Sequence, residues 1–120
     1  MEHKGLLSGM KVLDLSRVLA APYCGMMLAD LGAEVIKVEA PAGDPLRYTA
    51  VNEGRPQDQK ENTSYDLENA GKTCVCLNTK TPAGREALEK LIAEADIFIT
   101  NWRQNPLKKA GLDYETLHAL

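Results

Sequence analysis

Lys11–Glu39 reads KVLDLSRVLAAPYCGMMLADLGAEVIKVE, and this stretch decides the fold. Val12, Leu13 and Leu15 form one short apolar run rich in strand formers, and Val35, Ile36 and Val38 form another. The segment PYCGMMLADL between them predicts a helix with Pro22 at its first position, where a missing N–H costs nothing. Gly32 follows the last apolar residue of that helix, where a stop is expected. A strand–helix–strand of this length implies a parallel pair joined by a right-handed crossover. A dinucleotide-binding unit would carry a glycine-rich phosphate loop after the first strand. This chain has Arg17-Val18-Leu19-Ala20-Ala21-Pro22 there instead. That loop leaves the carboxyl end of a parallel strand, the edge at which α/β sheets bind ligands.

Beyond Glu39 the pattern changes. Residues 40–69 are rich in Pro, Gly, Asp, Asn and Gln without a sustained period, which predicts a long loop, and loops of that length are often functional. Order resumes with a strand over Thr73-Cys74-Val75-Cys76-Leu77-Asn78. Thr81 then caps a helix with Pro82 at its first position and Ala87, Leu88, Leu91, Ile92 and Ala95 at helical spacing. Asp96–Thr100 predicts a further strand, followed by the polar loop Asn101-Trp102-Arg103-Gln104-Asn105. Pro106–Ala110 predicts one helical turn stopped by Gly111, and Asp113 a cap for a helix beginning at Tyr114. The fold class is therefore α/β, Rossmann-like and doubly wound with a mainly parallel sheet. Four strands and an interrupted last helix predict an incomplete domain, the N-terminal part of a larger one.

The bulk composition narrows the partners. A chain of 120 residues has room for one small domain, and 44% apolar residues suffice for a core. A net charge of −3 supplies no basic field for nucleic acid. No apolar run approaches the ~20 residues of a membrane span, and the N-terminus has no secretory h-region, so a cytoplasmic protein is expected. Cys24, Cys74 and Cys76 include no C-x-x-C pair. Cys74 and Cys76, two apart in a strand, are expected to be small buried hydrophobes, and no metal site is indicated.

If all four strands run parallel, the loops after them share one edge. Those loops offer Arg17, Arg47, Lys80, Asn101, Trp102 and Arg103. Lys72, just before the third strand, is expected at the opposite edge unless the chain folds back. Cations and an indole at a switch point suit an anionic ligand with a flat ring, such as a nucleotide. The plainer reading is that surface loops carry Arg and Lys and that Trp102 covers the core. No catalytic constellation is apparent: Ser16 and Ser64 lack a G-x-S-x-G setting, and Asp14 and Glu39 suit strand-end capping and solvent contact better than acid–base work.

Several ordered motifs add to this reading. The opening L-x-G-M-K-V-L-D-L-S-R-V-L-A-A-P (Leu7 to Pro22) and L-A-D-L-G-A-E-V-I-K-V-E (Leu28 to Glu39) resemble the first strand, CoA loop and second strand of the family III CoA-transferases. This CaiB/BaiF-like family also contains formyl-CoA transferases, carnitine-type CoA-transferases and α-methylacyl-CoA racemases. Gly43-Asp44-Pro45-Leu46-Arg47 is similar to the family's G-D-x-x-R, and Asn69 to Lys72 with Leu77 to Lys80 to its N-x-x-K…L-(N/D)-x-K. Ala95-Asp96, Asn101-Trp102-Arg103 and Gly111-Leu112 are similar to its A-D…N-(F/W)-R…G-(L/F). Pro41–Ala50, Glu61–Ala70 and G-L-D-Y-E-T-L look like one branch, the 2-hydroxyacyl CoA-transferases of amino-acid-fermenting anaerobes, such as cinnamoyl-CoA:phenyllactate and isocaprenoyl-CoA:2-hydroxyisocaproate CoA-transferases.

The resemblance implies an enzyme of which these 120 residues are an inactive, CoA-binding portion. It implies no tightly bound cofactor, with coenzyme A or acyl-CoA as substrate, a small carboxylic acid as second partner, and a homodimer at full length. It implies an aspartate nucleophile beyond position 120, so no catalytic residue is assigned here. It assigns CoA contacts to Arg17, Val18 and Leu19 near the reacting end. Leu77 and Lys80 are assigned to the adenosine and phosphate end, Asn101, Trp102 and Arg103 to its flank, and Lys109 to the phosphates. Ala40 departs from members with an arginine packed on adenine there. An α-methylacyl-CoA racemase-like enzyme and a non-catalytic nucleotide-binding module stand as alternatives.

Overall fold

The computed structural model describes residues 5–55 and 62–120. In chain order it comprises β1 (Lys11–Asp14), α1 (Ala20–Asp30), β2 (Glu34–Glu39), α2 (Thr63–Glu68), β3 (Thr73–Cys76), α3 (Pro82–Glu94), β4 (Ile97–Ile99), α4 (Gln104–Lys109) and α5 (Tyr114–His118). The four strands form one sheet in the order β3-β2-β1-β4, all parallel. The expected α/β sheet is present, and it is parallel throughout.

Val12, Ala33 and Val35 pack with Leu28 and Ala29 of α1 on one face. Leu13, Leu15 and Val38 pack with Leu88 and Ile92 of α3 and with Leu112 on the other. Each fully buried aliphatic side chain contributes about 1.5–3 kcal/mol, so both helices are fixed by the strands' alternation. One crossover leaves β1 through α1 to β2 and the other reaches β4 through α3, so the order reverses between β1 and β4. That is a topological switch point.

Local chemistry accounts for the helix ends. Thr81 accepts the Gly84 N–H at 3.1 Å as the cap of α3, with Pro82 at its first position as expected. Gly32, at φ +101°, lets the chain turn from α1 into β2. Pro22 is the third residue of α1 rather than its first; Leu19 is the cap. The proline is still tolerated, because first-turn N–H groups have no intrahelical acceptor.

Two expectations are corrected. The stretch 40–69 is not structureless: it contains 3₁₀ turns at Pro45–Tyr48 and Ala50–Glu53, then α2, while residues 56–61 lie outside the described residues. Asp44 caps the first turn by accepting the Leu46 N–H, and Asn62 caps α2. Cys74 and Cys76 are exposed, not buried, because β3 is an edge strand.

Candidate functional site

Register sets the site. Asp14 of β1 pairs with Lys37 of β2 and Ile99 of β4, and Lys37 pairs with Cys74 of β3. In a parallel sheet, paired residues point to the same face. One row across the α1 face therefore carries a carboxylate, an ammonium and a thiol beneath the ligand edge.

Two buried ion pairs each join a strand residue to a loop residue. Lys72 Nζ lies 2.6 Å from Asp14 Oδ2 and also donates to the Pro22 carbonyl at 2.8 Å and Asn69 Oδ1 at 2.9 Å. All three ammonium protons are used. Asp14 Oδ1 accepts the Ser16 N–H at 2.8 Å and the Ser16 hydroxyl. Gly25 of α1 leaves room for the pair: a Cβ there would stand 2.8 Å from Asp14 Oδ2 and 3.1 Å from Lys72 Nζ. Burial draws the Lys72 pKa down, and Asp14 offsets part of that. Lys37 Nζ lies 2.6 Å from Asp44 Oδ2, both side chains being wholly buried.

A third cluster closes the β2–β3 end. Glu39 accepts two hydrogen bonds from Arg47, at 2.8 and 2.9 Å, together with the Asp44 N–H at 2.9 Å and the Tyr65 hydroxyl. The Arg47 guanidinium carbon lies 3.7 Å from the Tyr65 ring centroid, and the Tyr65 hydroxyl is 3.2 Å from Cys74 Sγ. Burial pushes the Glu39 carboxyl up. Hydrogen bonds from Arg47, Tyr65 and Asp44 outweigh that and bring it from 4.5 to about 2.

This cluster sets a pH dependence. A folded pKa below the unfolded value stabilises the protein above pH 4.5, and that stability is lost as pH falls from 4.5 toward about 2. With Arg47 partly open to water, the contribution is on the order of 2 kcal/mol. Unfolding by urea at pH 6 and at pH 3 should show a smaller difference for Glu39→Gln than for the wild type. Equal differences would mean that Glu39 does not carry the dependence.

The ligand edge lies above this layer. Arg17 N–H donates to Asn101 Oδ1 at 3.0 Å, and Asn101 Nδ2 donates to the Arg17 carbonyl at 2.8 Å. This reciprocal clasp joins the loops after β1 and β4 across the switch point. The Arg17 guanidinium sits 5.5 Å from the Trp102 ring centroid, while Trp102 itself packs on the Leu13–Leu88 core. Trp102 covers the core, as the plainer reading expects, and it also seats a cation.

Arg17, Val18 and Leu19 are exposed and adjoin the clasp, and Arg103 is the exposed cap residue of α4. Leu77, half-buried against the core, and exposed Lys80 follow β3. They stand two strand spacings from β1, roughly 10 Å. Lys109, at the opposite end of α4 from Arg103, is about 9 Å from it along the helix. The fold brings together Arg17, Asn101 and Trp102, and spreads Lys80 and Lys109 to either side. Among the described residues, no carboxylate forms an ion pair with Arg17, Lys80, Arg103 or Lys109. An elongated anion fits that spacing better than a compact one.

Arg47 is corrected as a candidate ligand cation, and Lys72 is corrected in its expected place at the opposite edge. Arg47 is committed to Glu39, and Lys72 reaches the ligand side of the sheet to meet Asp14. It does so because Thr73 is level with Ile36, so β3 starts high on the sheet. Asp14 and Glu39 are likewise buried partners rather than solvent-facing strand ends. A cleft of about 290 Å³ opens beside the β2 and β3 ends, lined by Ala40, Gly43, Tyr48 and Cys76. A larger one of about 510 Å³ lies by β4, lined by Phe98, Leu107, Tyr114 and His118.

Comparison with known proteins places this geometry in context. The sequence profile of the CoA-transferase family III matches residues 7–120. Over 93% of its length the chain is 59% identical to cinnamoyl-CoA:phenyllactate CoA-transferase of Clostridium sporogenes. Over a similar span it is 46% identical to (R)-2-hydroxy-4-methylpentanoate CoA-transferase of Clostridioides difficile. The crystal structure of a CAIB/BAIF family protein from Brucella suis superposes with a TM-score of 0.85 at 40% identity, over 98% of this chain. The chain spans 27% and 28% of the two transferases and 31% of the Brucella protein.

Proposed function

This chain belongs to the CoA-transferase family III, and on that premise we propose that it is the N-terminal part of the CoA-binding domain of an acyl-CoA:carboxylate CoA-transferase. The transfer runs between an enoyl- or acyl-CoA and a 2-hydroxy acid, the chemistry in the names of its clostridial relatives. One observation carries the reading. The Arg17–Asn101 clasp holds a guanidinium and an indole at the switch point, with Lys80, Arg103 and Lys109 exposed around it. CoA is elongated, multiply anionic and ends in a flat base, so spaced cations suit it.

The reacting carboxylate lies outside this chain. An aspartate there attacks the thioester carbonyl and expels CoA thiolate, leaving a mixed anhydride. The thiolate then attacks the aspartyl carbonyl, releasing the donor acid and forming an enzyme thioester. The acceptor carboxylate repeats both steps in reverse, splitting one hard transfer into easier ones. The residues described here hold the CoA moiety while its thiolate is free. The complete enzyme is a cytoplasmic homodimer that serves amino-acid fermentation, and the 120-residue chain alone is inactive.

Two measurements test this. Reading the coding sequence beyond codon 120 should show a continuing frame, and its product should form a new thioester from acyl-CoA and a 2-hydroxy acid. No new thioester would remove the transferase assignment. Arg17→Ala should weaken CoA binding about tenfold by calorimetry, the scale of one partly desolvated ion pair with its stacking partner lost.

A further inference from the structure

Val18 stands apart in the backbone. At φ +74° it is the one non-glycine among the described residues in the left-handed region. A β-branched side chain is disfavoured there, so its partners must hold it. Asp44 receives the Val18 N–H at 3.1 Å on Oδ1 and 3.3 Å on Oδ2. The same carboxylate accepts the Leu46 N–H at 2.9 Å and is pinned by Lys37 at 2.6 Å. On the other side Asn101 holds the preceding N–H, that of Arg17, at 3.0 Å. Two consecutive amides of the ligand loop are thus anchored to opposite sides of β1.

We infer that Asp44, locked by Lys37, is a positioning residue: it holds Val18 in its left-handed conformation and so presents Arg17 and Leu19 to the CoA thioester. The inference rests on the CoA-binding reading above. Neither Asp44 nor Lys37 touches the ligand, because both are wholly buried beneath the loop. Without the carboxylate, Val18 relaxes to an ordinary φ and the Arg17 peptide turns with it. The valine sharpens the device. A glycine would sit at this φ without resistance, and also at many others, so the loop would lose its single geometry.

The test uses the intact enzyme that carries this chain. In Asp44→Asn, exchange of the Val18 amide without ligand should accelerate at least about tenfold more than that of Leu13 in β1, because local release is separable from global opening. In Val18→Gly, the melting temperature should not fall, since relief of the disfavoured φ offsets the glycine's added freedom. CoA affinity by calorimetry should nonetheless drop about tenfold or more, since preorganisation is lost. If Asp44→Asn fails to fold, the glycine variant decides. Unchanged Val18 exchange, or a glycine variant that binds CoA as tightly as wild type, overturns the inference and leaves the CoA reading standing. A wild type that binds no CoA removes that reading and this one together, and is told apart because Val18 protection is measured without ligand.

Discussion

Replacing Lys72 with methionine should destabilise the fold by about 3–5 kcal/mol, the usual loss when one partner of a buried ion pair is removed. Asp14 is wholly buried, and its Oδ2 faces Lys72 across the space left by Gly25. Methionine fills the volume but supplies no proton. It leaves Asp14 Oδ2 without its cation and removes the donor to the Pro22 carbonyl and to Asn69 Oδ1. Asp14→Asn in the same background removes the stranded charge and should recover part of the loss. A double-mutant cycle from urea unfolding would read the coupling directly. A single-variant loss below about 1 kcal/mol, the scale of an exposed pair, would show that water reaches the site.

Gly84→Ala should also be strongly destabilising, against what helix propensity alone predicts. Alanine is the better helix former by roughly 1 kcal/mol. Gly84 lies in the first turn of α3, and a Cβ there would stand 2.6 Å from the Asn78 carbonyl carbon and nearer still to its oxygen. Those are backbone atoms and cannot rotate aside. Either α3 lifts from the sheet, uncovering Leu88 and Ile92, or the turn carrying Lys80 is pushed outward. Overpacking of this kind costs typically 1–3 kcal/mol, and this backbone clash belongs at the upper end, so a net loss of about 2 kcal/mol remains after the propensity gain. On the proposed CoA reading, affinity should fall with it, because Lys80 lies in the displaced turn. A thermal melt at or above the wild-type midpoint would refute the steric argument.

Sequence patterns carried the framework and missed the layer beneath the site. The apolar runs around Leu13 and Ile36, the Thr81-Pro82 cap and the α3 spacing each pointed to an element that formed. These are local signals, legible because strand alternation and capping act within a few residues. The charged layer is not local. Asp14 meets Lys72 across 58 positions, and Lys37 reads as one polar residue in an apolar strand until register sets it beside Asp14. One signal was available: Val35, Lys37 and Glu39 alternate on a single face, and a face that begins with a buried valine implies partners for the charges that follow. The stretch 40–69 misled because its short turns are held by side-chain caps from Asp44 and Asn62 rather than by an apolar period. The clasp was half legible. Arg17 and Asn101 were each expected at one edge, but the bond between them depends on two strands lying side by side.

That bond links positions 84 residues apart. On the ribosome, at ~5–20 residues per second, the loop after β1 is synthesised roughly 4–17 seconds before its partner asparagine. The first half of the chain therefore has no finished cradle while it is being synthesised, and CoA in the cell cannot serve as a template for it. On the proposed reading, capture of the thioester carrier would report that both halves of the sheet have been completed and joined.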